Sequence, residues 1–270
     1  MFEFTKMKKY FVIGNPIDHS LSPKLHNYWL QENKIDATYD KIKLEENEIK
    51  NFINKIRNQK INGCNVTVPF KKSVIPFLDK LSLEAEKTQS VNTISFVNGN
   101  LIGHNTDIVG FQKAISNLNY NIKSKKILIL GAGGVVPSII FALNKMKVSK
   151  ITISNRTREK AENLKSHFNK TNIVDWGEVP DFDMIINATS LGLNKETIPL
   201  DFSNIKNDKL FYDVIYNPSK TNFLKEGKRL GNHTENGKLM FIYQAFEAFN
   251  LWHRVEPQIN SKTLKLLGND

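Results

Sequence analysis

One joint constrains this chain more than any other: an unbroken apolar strand that runs straight into a glycine turn, Lys126-Ile127-Leu128-Ile129-Leu130-Gly131-Ala132-Gly133-Gly134. A short apolar run without alternation suits a strand covered on both faces. A helical pattern follows at 135–145. Glycines at such a joint let backbone N–H groups approach a pyrophosphate, and the helix N-terminus adds a positive dipole. Beyond it, strand-like and helix-like segments alternate at 150–154, 158–168, 184–187 and 210–215. That succession calls for a parallel sheet with right-handed crossovers, of the doubly wound dinucleotide-binding kind.

The end of the next strand separates two dinucleotides. An NAD site places an acid there, about 20 residues on, against the ribose 2′-hydroxyl. Here the residues are Asn155-Arg156-Thr157-Arg158. An acid would repel a 2′-phosphate, whereas Arg156 can pair with one, and Arg158 and Lys160 add positive charge. The reading favours NADP. Thr157 also suits the cap of the following helix.

The N-terminal half alternates too. Strands are predicted at 9–14, 38–44 and 65–68, the last stopped by Pro69. Ser22-Pro23 opens a helix, with serine as its cap and proline in the first turn. A helix at 45–58 carries Ile49, Phe52, Ile53 and Ile56 on one face. Strands at 90–97 and 101–104 flank the hairpin signal Asn98-Gly99-Asn100. A second unit begins near Ile108, and a long helix at 237–255 returns the chain to the first. The expected fold is α/β with two domains. An N-terminal α/β substrate domain takes residues 1–107 and 243–270, a Rossmann-type doubly wound parallel sheet takes 108–242, and the cleft lies between them.

Composition narrows the partners. The net charge is +11 over 270 residues, but the lysines are spread out and mixed with glutamates, as at 41–50. Without an arginine-rich tract this reads as a soluble surface that attracts anionic ligands, and no nucleic-acid partner is expected. No apolar run nears the roughly 18 residues of a membrane span, and residues 1–10 carry no signal-peptide core. The single cysteine, Cys64, forms no intramolecular disulfide and suits a reducing cytoplasm. It lies in a strand and is expected in the core. His19 and His26 lack a third ligand at metal spacing, so no metal is expected, and His26 reads as a structural hydrogen-bonding residue.

Two groups can hold or move a proton: the amine of Lys71, after Asn65-Val66-Thr67-Val68-Pro69-Phe70, and the carboxylate of Asp107, after Asn105-Thr106. A carbonyl reduced by hydride needs a proton for its developing alkoxide. A lysine ammonium can supply one, and an aspartate can orient it. Ser20 and Ser22 offer short hydroxyls suited to a carboxylate.

Together these stretches resemble the shikimate dehydrogenase family over nearly the whole chain, from Gly14 to Trp252. The segments carrying the likeness are Gly14…Pro16…His19-Ser20…Ser22-Pro23…His26-Asn27, Asn65-Val66-Thr67…Pro69…Lys71, Val91-Asn92-Thr93, Asn105-Thr106-Asp107, Asn155-Arg156-Thr157, Asn187-Ala188-Thr189-Ser190…Gly192 and Asp213…Tyr216, in that order. The resemblance implies NADPH-dependent, reversible reduction of 3-dehydroshikimate to shikimate, in the pathway to chorismate and the aromatic amino acids. It implies Lys71 and Asp107 as the catalytic pair. Ser20, Ser22 and Tyr216 would hold the substrate carboxylate, and Thr67, Asn92, Asp107 and Gln244 the ring hydroxyls. For NADP it implies Gly131, Ala132, Gly133 and Gly134 at the pyrophosphate, Asn155, Arg156, Thr157 and Lys160 around the 2′-phosphate, and Ile215, Gly237 and Met240 as further cofactor contacts, Met240 towards the nicotinamide. Gln244 lies one helical turn from Met240.

The chain departs from the family pattern at Val136 and Pro137 in the glycine turn, at Lys160 in place of an arginine, and at Asn236-Gly237-Lys238-Leu239-Met240, which lacks a second glycine. Rival readings are a quinate/shikimate dehydrogenase using NAD, a catalytically silent metabolite-binding protein and a basic nucleic-acid binder. Either a monomer or a homodimer is compatible with the sequence.

Overall fold

The protein is described by a computed structural model covering residues 7–194 and 196–268. It divides into two compact units, residues 7–107 with 244–268, and residues 108–243.

The first unit holds a six-stranded mixed sheet. Its strands are β1 (Lys8–Gly14), β2 (Ala37–Lys43), β3 (Gly63–Val66), β4 (Lys80–Leu81), β5 (Thr93–Val97) and β6 (Asn100–His104), in the order β2-β1-β3-β5-β6-β4. β1 runs parallel to β2 and β3, and β5 antiparallel to β3 and β6. The β5–β6 hairpin turns at Asn98 (φ 51°) and Gly99 (φ 78°), two positive-φ residues whose twist suits a tight hairpin. Helices α1 (Ser22–Glu32), α2 (Ile49–Arg57) and α3 (Leu83–Thr88) accompany the sheet. Ile49, Phe52, Ile53 and Ile56 of α2 bury one face with Ile13, Cys64, Val66, Ile94 and Leu101. Burial pushes the Cys64 thiol up, so it is inert core.

The second unit is an all-parallel sheet of β7 (Lys126–Leu130), β8 (Lys150–Ser154), β9 (Thr171–Val174), β10 (Met184–Asn187), β11 (Leu210–Asp213) and β12 (His233–Glu235). Its order is β12-β11-β10-β7-β8-β9, the doubly wound order in which direction reverses between β7 and β10. Two apolar clusters use the sheet residues alternately: Ile127, Ile129, Met184 and Ile186 in one, Leu128, Leu130, Ile185 and Phe211 in the other. Alternation along strands that are apolar throughout is what burial on both faces requires. Helices α4 (Asp107–Asn117), α5 (Val136–Lys145), α6 (Arg158–His167) and α7 (Asn222–Arg229) follow in chain order. After them come α8 (Lys238–His253), along which the division between units falls, and α9 (Ser261–Leu266).

Several expected boundaries move for local reasons. Ser22 does not cap α1: the cap position is Leu21, no side chain caps the helix, and the Ser22 amide donates to Ser20 Oγ at 3.3 Å. The helix expected at 45–58 opens as a 3₁₀ turn, Glu46–Glu48, because Glu45 and Glu48 close a reciprocal capping box. The third strand stops at Val66, after which the Phe70 amide bonds Thr67 O and the chain curls. The strand expected at 210–215 ends at Asp213, whose carboxylate takes the Ile215 amide out of the ladder. Short elements with weak periodicity, α3, β4, β9, α7, β12 and α9, were not foreseen, nor was α4.

Candidate active site

Strand register gathers the polar residues of the first unit at one edge of its sheet. Ile13 pairs with Val66, Asn65 with Thr93, and Thr93 with His104. The residues just beyond these positions, 15–22, 67–71, 92 and 105–107, therefore leave the sheet together.

At that edge Lys71 Nζ donates to Asp107 Oδ2 at 2.5 Å. Both side chains are about nine-tenths buried, at 11% and 8% exposure, so the pair is poorly screened by water. Asp107 is the first residue of α4, where the helix dipole favours a negative charge. Its second oxygen accepts from Asn92 Nδ2 at 2.9 Å.

Asn92 is fully engaged within the protein. Its amide nitrogen also donates to Thr106 Oγ1 at 2.9 Å, and its Oδ1 accepts from the Thr106 amide at 2.7 Å and the Thr93 hydroxyl at 3.1 Å. Behind it, Asn65 Nδ2 donates to Thr93 Oγ1 at 2.9 Å and to Asn92 O at 3.1 Å, while the Tyr39 hydroxyl donates to Asn65 Oδ1 at 2.6 Å. Asn65, Thr93 and Thr106 stood in the segments that carry the resemblance but were given no role, and Tyr39 was not singled out. Asn-Thr occurs twice, at 92–93 and 105–106, and these two pairs are the ones that interlock.

Ser20 and Thr67 are half-buried at the same edge, and Ser22 is buried at 7% exposure. Gln244 is half-buried on the part of α8 that belongs to this unit. His19 is exposed. His26 is structural but not hydrogen-bonded: its ring stacks on Tyr39 at 4.1 Å and 2°, and neither nitrogen has a partner. Among the described residues no group of three His, Cys, Asp or Glu is placed to hold a metal ion.

The second unit carries the glycine turn at its strand-order reversal, the usual crevice for a dinucleotide. Gly131 has φ +110°, and a Cβ there would lie 2.8 Å from Ala188 O, so only glycine fits. Gly133 and Gly134 are exposed, and Ala132 is half-buried beside them. A Cβ at Gly133 would meet nothing nearer than 3.9 Å, which leaves its backbone open to a phosphate. Val136 is fully buried in the core cluster, and Pro137 lies in the first turn of α5.

At the end of β8, Arg156 and Lys160 are exposed and make no ion pair among the described residues. Arg158 is engaged, with Asp175 and with Glu162 at 3.4 Å, so it adds less free charge than the sequence suggested. Asn155 Nδ2 donates to Thr157 O at 2.7 Å, and Thr157 takes the cap position of α6 without a capping bond. The residues fit a phosphorylated ribose: two free cations, a hydroxyl unused by the helix and no acid at the strand end. Tyr216 stacks on Phe241 at 4.3 Å. Ile215 and Met240 are buried, and Met240 belongs to the core cluster. Gly237 admits no side chain, since a Cβ would fall 2.1 Å from Val214 O.

Comparison with known proteins agrees in both units. A family model for the shikimate dehydrogenase substrate binding domain matches residues 12–94, and one for shikimate / quinate 5-dehydrogenase matches residues 112–198. A shikimate dehydrogenase (NADP(+)) of Pelagibacter ubique is 58% identical over 97% of this chain and 99% of its own. The crystal structure of shikimate dehydrogenase from Aquifex aeolicus superposes with a TM-score of 0.90 at 34% identity, covering 98% of this chain and 99% of that one. A Thermus thermophilus shikimate 5-dehydrogenase, solved with NADP(H) and shikimate, gives 0.88 at 30% identity, covering 97% and 98%. This chain belongs to the shikimate dehydrogenase family.

Proposed function

We propose that the chain is an NADP-dependent shikimate dehydrogenase, reducing the C3 carbonyl of 3-dehydroshikimate to the hydroxyl of shikimate and running in reverse. The observation that carries this reading is the buried Lys71–Asp107 pair, backed by Asn92. NADPH supplies the hydride. Lys71 Nζ gives its proton to the oxygen that becomes the hydroxyl and stabilises that oxygen as charge develops. Asp107 aims the amine and accepts from a ring hydroxyl. In the reverse direction Lys71 takes the hydroxyl proton.

Ser20, Ser22 and Tyr216 hold the substrate carboxylate, and Thr67, Asn92 and Gln244 serve the ring hydroxyls, Asn92 mainly by fixing Asp107. Gly131 to Gly134 line the pyrophosphate; the Gly131 amide is taken by Ser154 O at 2.8 Å, so its part is to make the turn. Arg156, Lys160, Asn155 and Thr157 take the adenosine 2′-phosphate. Ile215, Gly237 and Met240 border the nicotinamide end. Residues 7–107 with 244–268 form the substrate domain, and 108–243 the NADP domain. No helix among the described residues is long and apolar enough to cross a membrane. The working compartment we propose is the cytoplasm, supported by the lone buried cysteine. The chain works there as a monomer or homodimer, which light scattering distinguishes.

The test is shikimate-dependent reduction of NADP by purified protein, with quinate and NAD as controls. Shikimate with NADP is expected to be the preferred pair. Lys71→Ala is expected to lower kcat about 10²–10⁴-fold, with a smaller change in the KM for shikimate. Near-normal kcat in that variant would reject the assignment.

A further inference from the structure

The C-terminal ends of β10 and β11 share a buried carboxylate that the reaction does not use. Asp213 is fully buried, and among the described residues it makes no ion pair. Its Oδ1 accepts from Asn187 Nδ2 at 3.1 Å and from the Ile215 amide at 3.0 Å, and its Oδ2 accepts from the Thr221 hydroxyl at 2.6 Å. Three neutral donors thus converge on one charge.

Asn187, also fully buried, carries the connection on. Its Oδ1 accepts from Thr189 N at 3.1 Å and Thr189 Oγ1 at 2.7 Å, and its Nδ2 also donates to Leu191 O at 3.0 Å. The loop held in this way carries Ala188, whose carbonyl lies where a Cβ at Gly131 would strike. Ile215, the other residue pinned by Asp213, accepts the Gly237 amide at 3.1 Å. Both arms therefore end on backbone that the glycine turn and the start of α8 rest against. An asparagine would not replace the carboxylate. Its amide would face Thr221 Oγ1, which already accepts from Leu224 N at 3.4 Å and would lose its own acceptor.

We propose that Asp213 is a positioning residue for the nucleotide: through Asn187 it holds residues 188–191 against the glycine turn, through Ile215 it holds residues 214–216 against the start of α8, and so it sets the affinity for NADP(H). This rests on the proposed cofactor. Tyr216 has an independent anchor in Phe241, so the substrate end is affected less.

The experiment compares Asp213→Ala, Asp213→Asn and Thr221→Val by fluorescence titration with NADPH, by the KM for shikimate at saturating NADP, and by thermal melting. Asp213→Ala is expected to raise the NADPH Kd about tenfold or more while the shikimate KM stays within about twofold, with Asp213→Asn intermediate. Thr221→Val loses the bond to Asp213 Oδ2 and the cap on Leu224 N but leaves the arms through Asn187 and Ile215, and is expected to lower the melting temperature with Kd unchanged. A folded Asp213→Ala with wild-type Kd overturns the proposal, as does a change no larger than in Thr221→Val at equal loss of melting temperature. If Asp213→Ala does not fold, a wild-type Kd in Asp213→Asn overturns it. Since Kd is read without turnover, failure of the wild-type chain to oxidise shikimate falls on the proposed reaction alone.

Discussion

Asn92 shows how much the proposed chemistry rests on a side chain with no proton to give. It is 3% exposed, and its amide nitrogen and its oxygen are both engaged, so its work is to hold Asp107 while Lys71 holds the other oxygen. A misplaced catalytic group loses rate steeply with distance. Asn92→Ala is therefore expected to lower kcat about 10–100-fold, and to lower the melting temperature because the Thr106 amide loses its acceptor. Thr93→Val removes the hydroxyl between Asn65 and Asn92. Its expected cost is about 1–3 kcal/mol of stability, measurable by denaturant unfolding, with a smaller loss of kcat. The positions of Lys71 and Asp107 were legible in the sequence as candidates. The clamp around them was not, because it is built from contacts across strands that no local pattern encodes.

Among the elements, the ends matter most. Among the described residues the β8–α6 junction presents Arg156 and Lys160 without an ion pair, whereas Arg158 is held by Asp175 and Glu162. Arg156→Ala is expected to raise the KM for NADP about 10–100-fold and leave that for NAD nearly unchanged, the loss expected when a charge-assisted contact to a phosphate goes. Equal effects on both dinucleotides would contradict a 2′-phosphate role. At the start of α8, Gly237 lies against the backbone of Val214 so closely that a methyl group has no room. Gly237→Ala is expected to displace that turn, seen as weakened NADP binding together with a lower melting temperature. The strands β7, β8 and β10 were legible to the residue, because each is a stretch of four or five residues rich in isoleucine, too short for a helix and bounded by turn or cap residues. Short α3, α7 and α9 were not, since helices of six to eight residues carry too few turns to show a period.

For the whole molecule, buried titratable groups set the response to acid. His26 lies among the rings of Trp29, Tyr39, Phe249 and Trp252, and burial, followed by the charge of His253, pushes its imidazole down to about 3. Burial and then Lys8 push His253 down to about 4. Burial also lowers His104. Unfolded, these rings titrate near 6.5, so they add stability that is full above about pH 6.5 and lost as pH falls towards 4 and 3. Asp213 has the opposite sign. Burial raises it to about 6, against the lowering effect of its three hydrogen bonds, so its contribution falls as pH rises from about 3.8 to 6. Near pH 5, two protons bound by unfolded His26 and His253 against one bound by native Asp213 leave about one. Stability is thus expected to rise by ~1.4 kcal/mol per pH unit there, and more with His104. In urea unfolding between pH 4 and 6.5, His26→Phe is expected to flatten this slope and Asp213→Asn to steepen it. An unchanged slope in both would contradict the assignment.

The sequence by itself determined the class of fold, the glycine turn and its place after β7, the absence of an acid at the end of β8, and the candidates from which the proposed hydride-transfer site is drawn. These are local facts, carried by periodicity, glycine placement and charge. Only the tertiary structure decided that Lys71 and Asp107 meet 36 residues apart, that Arg158 is taken up by Asp175, that His26 is a stacked ring without hydrogen bonds, and that Asp213 ties the loop after β10 to the loop after β11. The physical reason is the same in each case: hydrogen bonds, ion pairs and desolvation depend on distances of a few ångströms between residues far apart in the chain, and strand register, not spacing in the sequence, sets those distances.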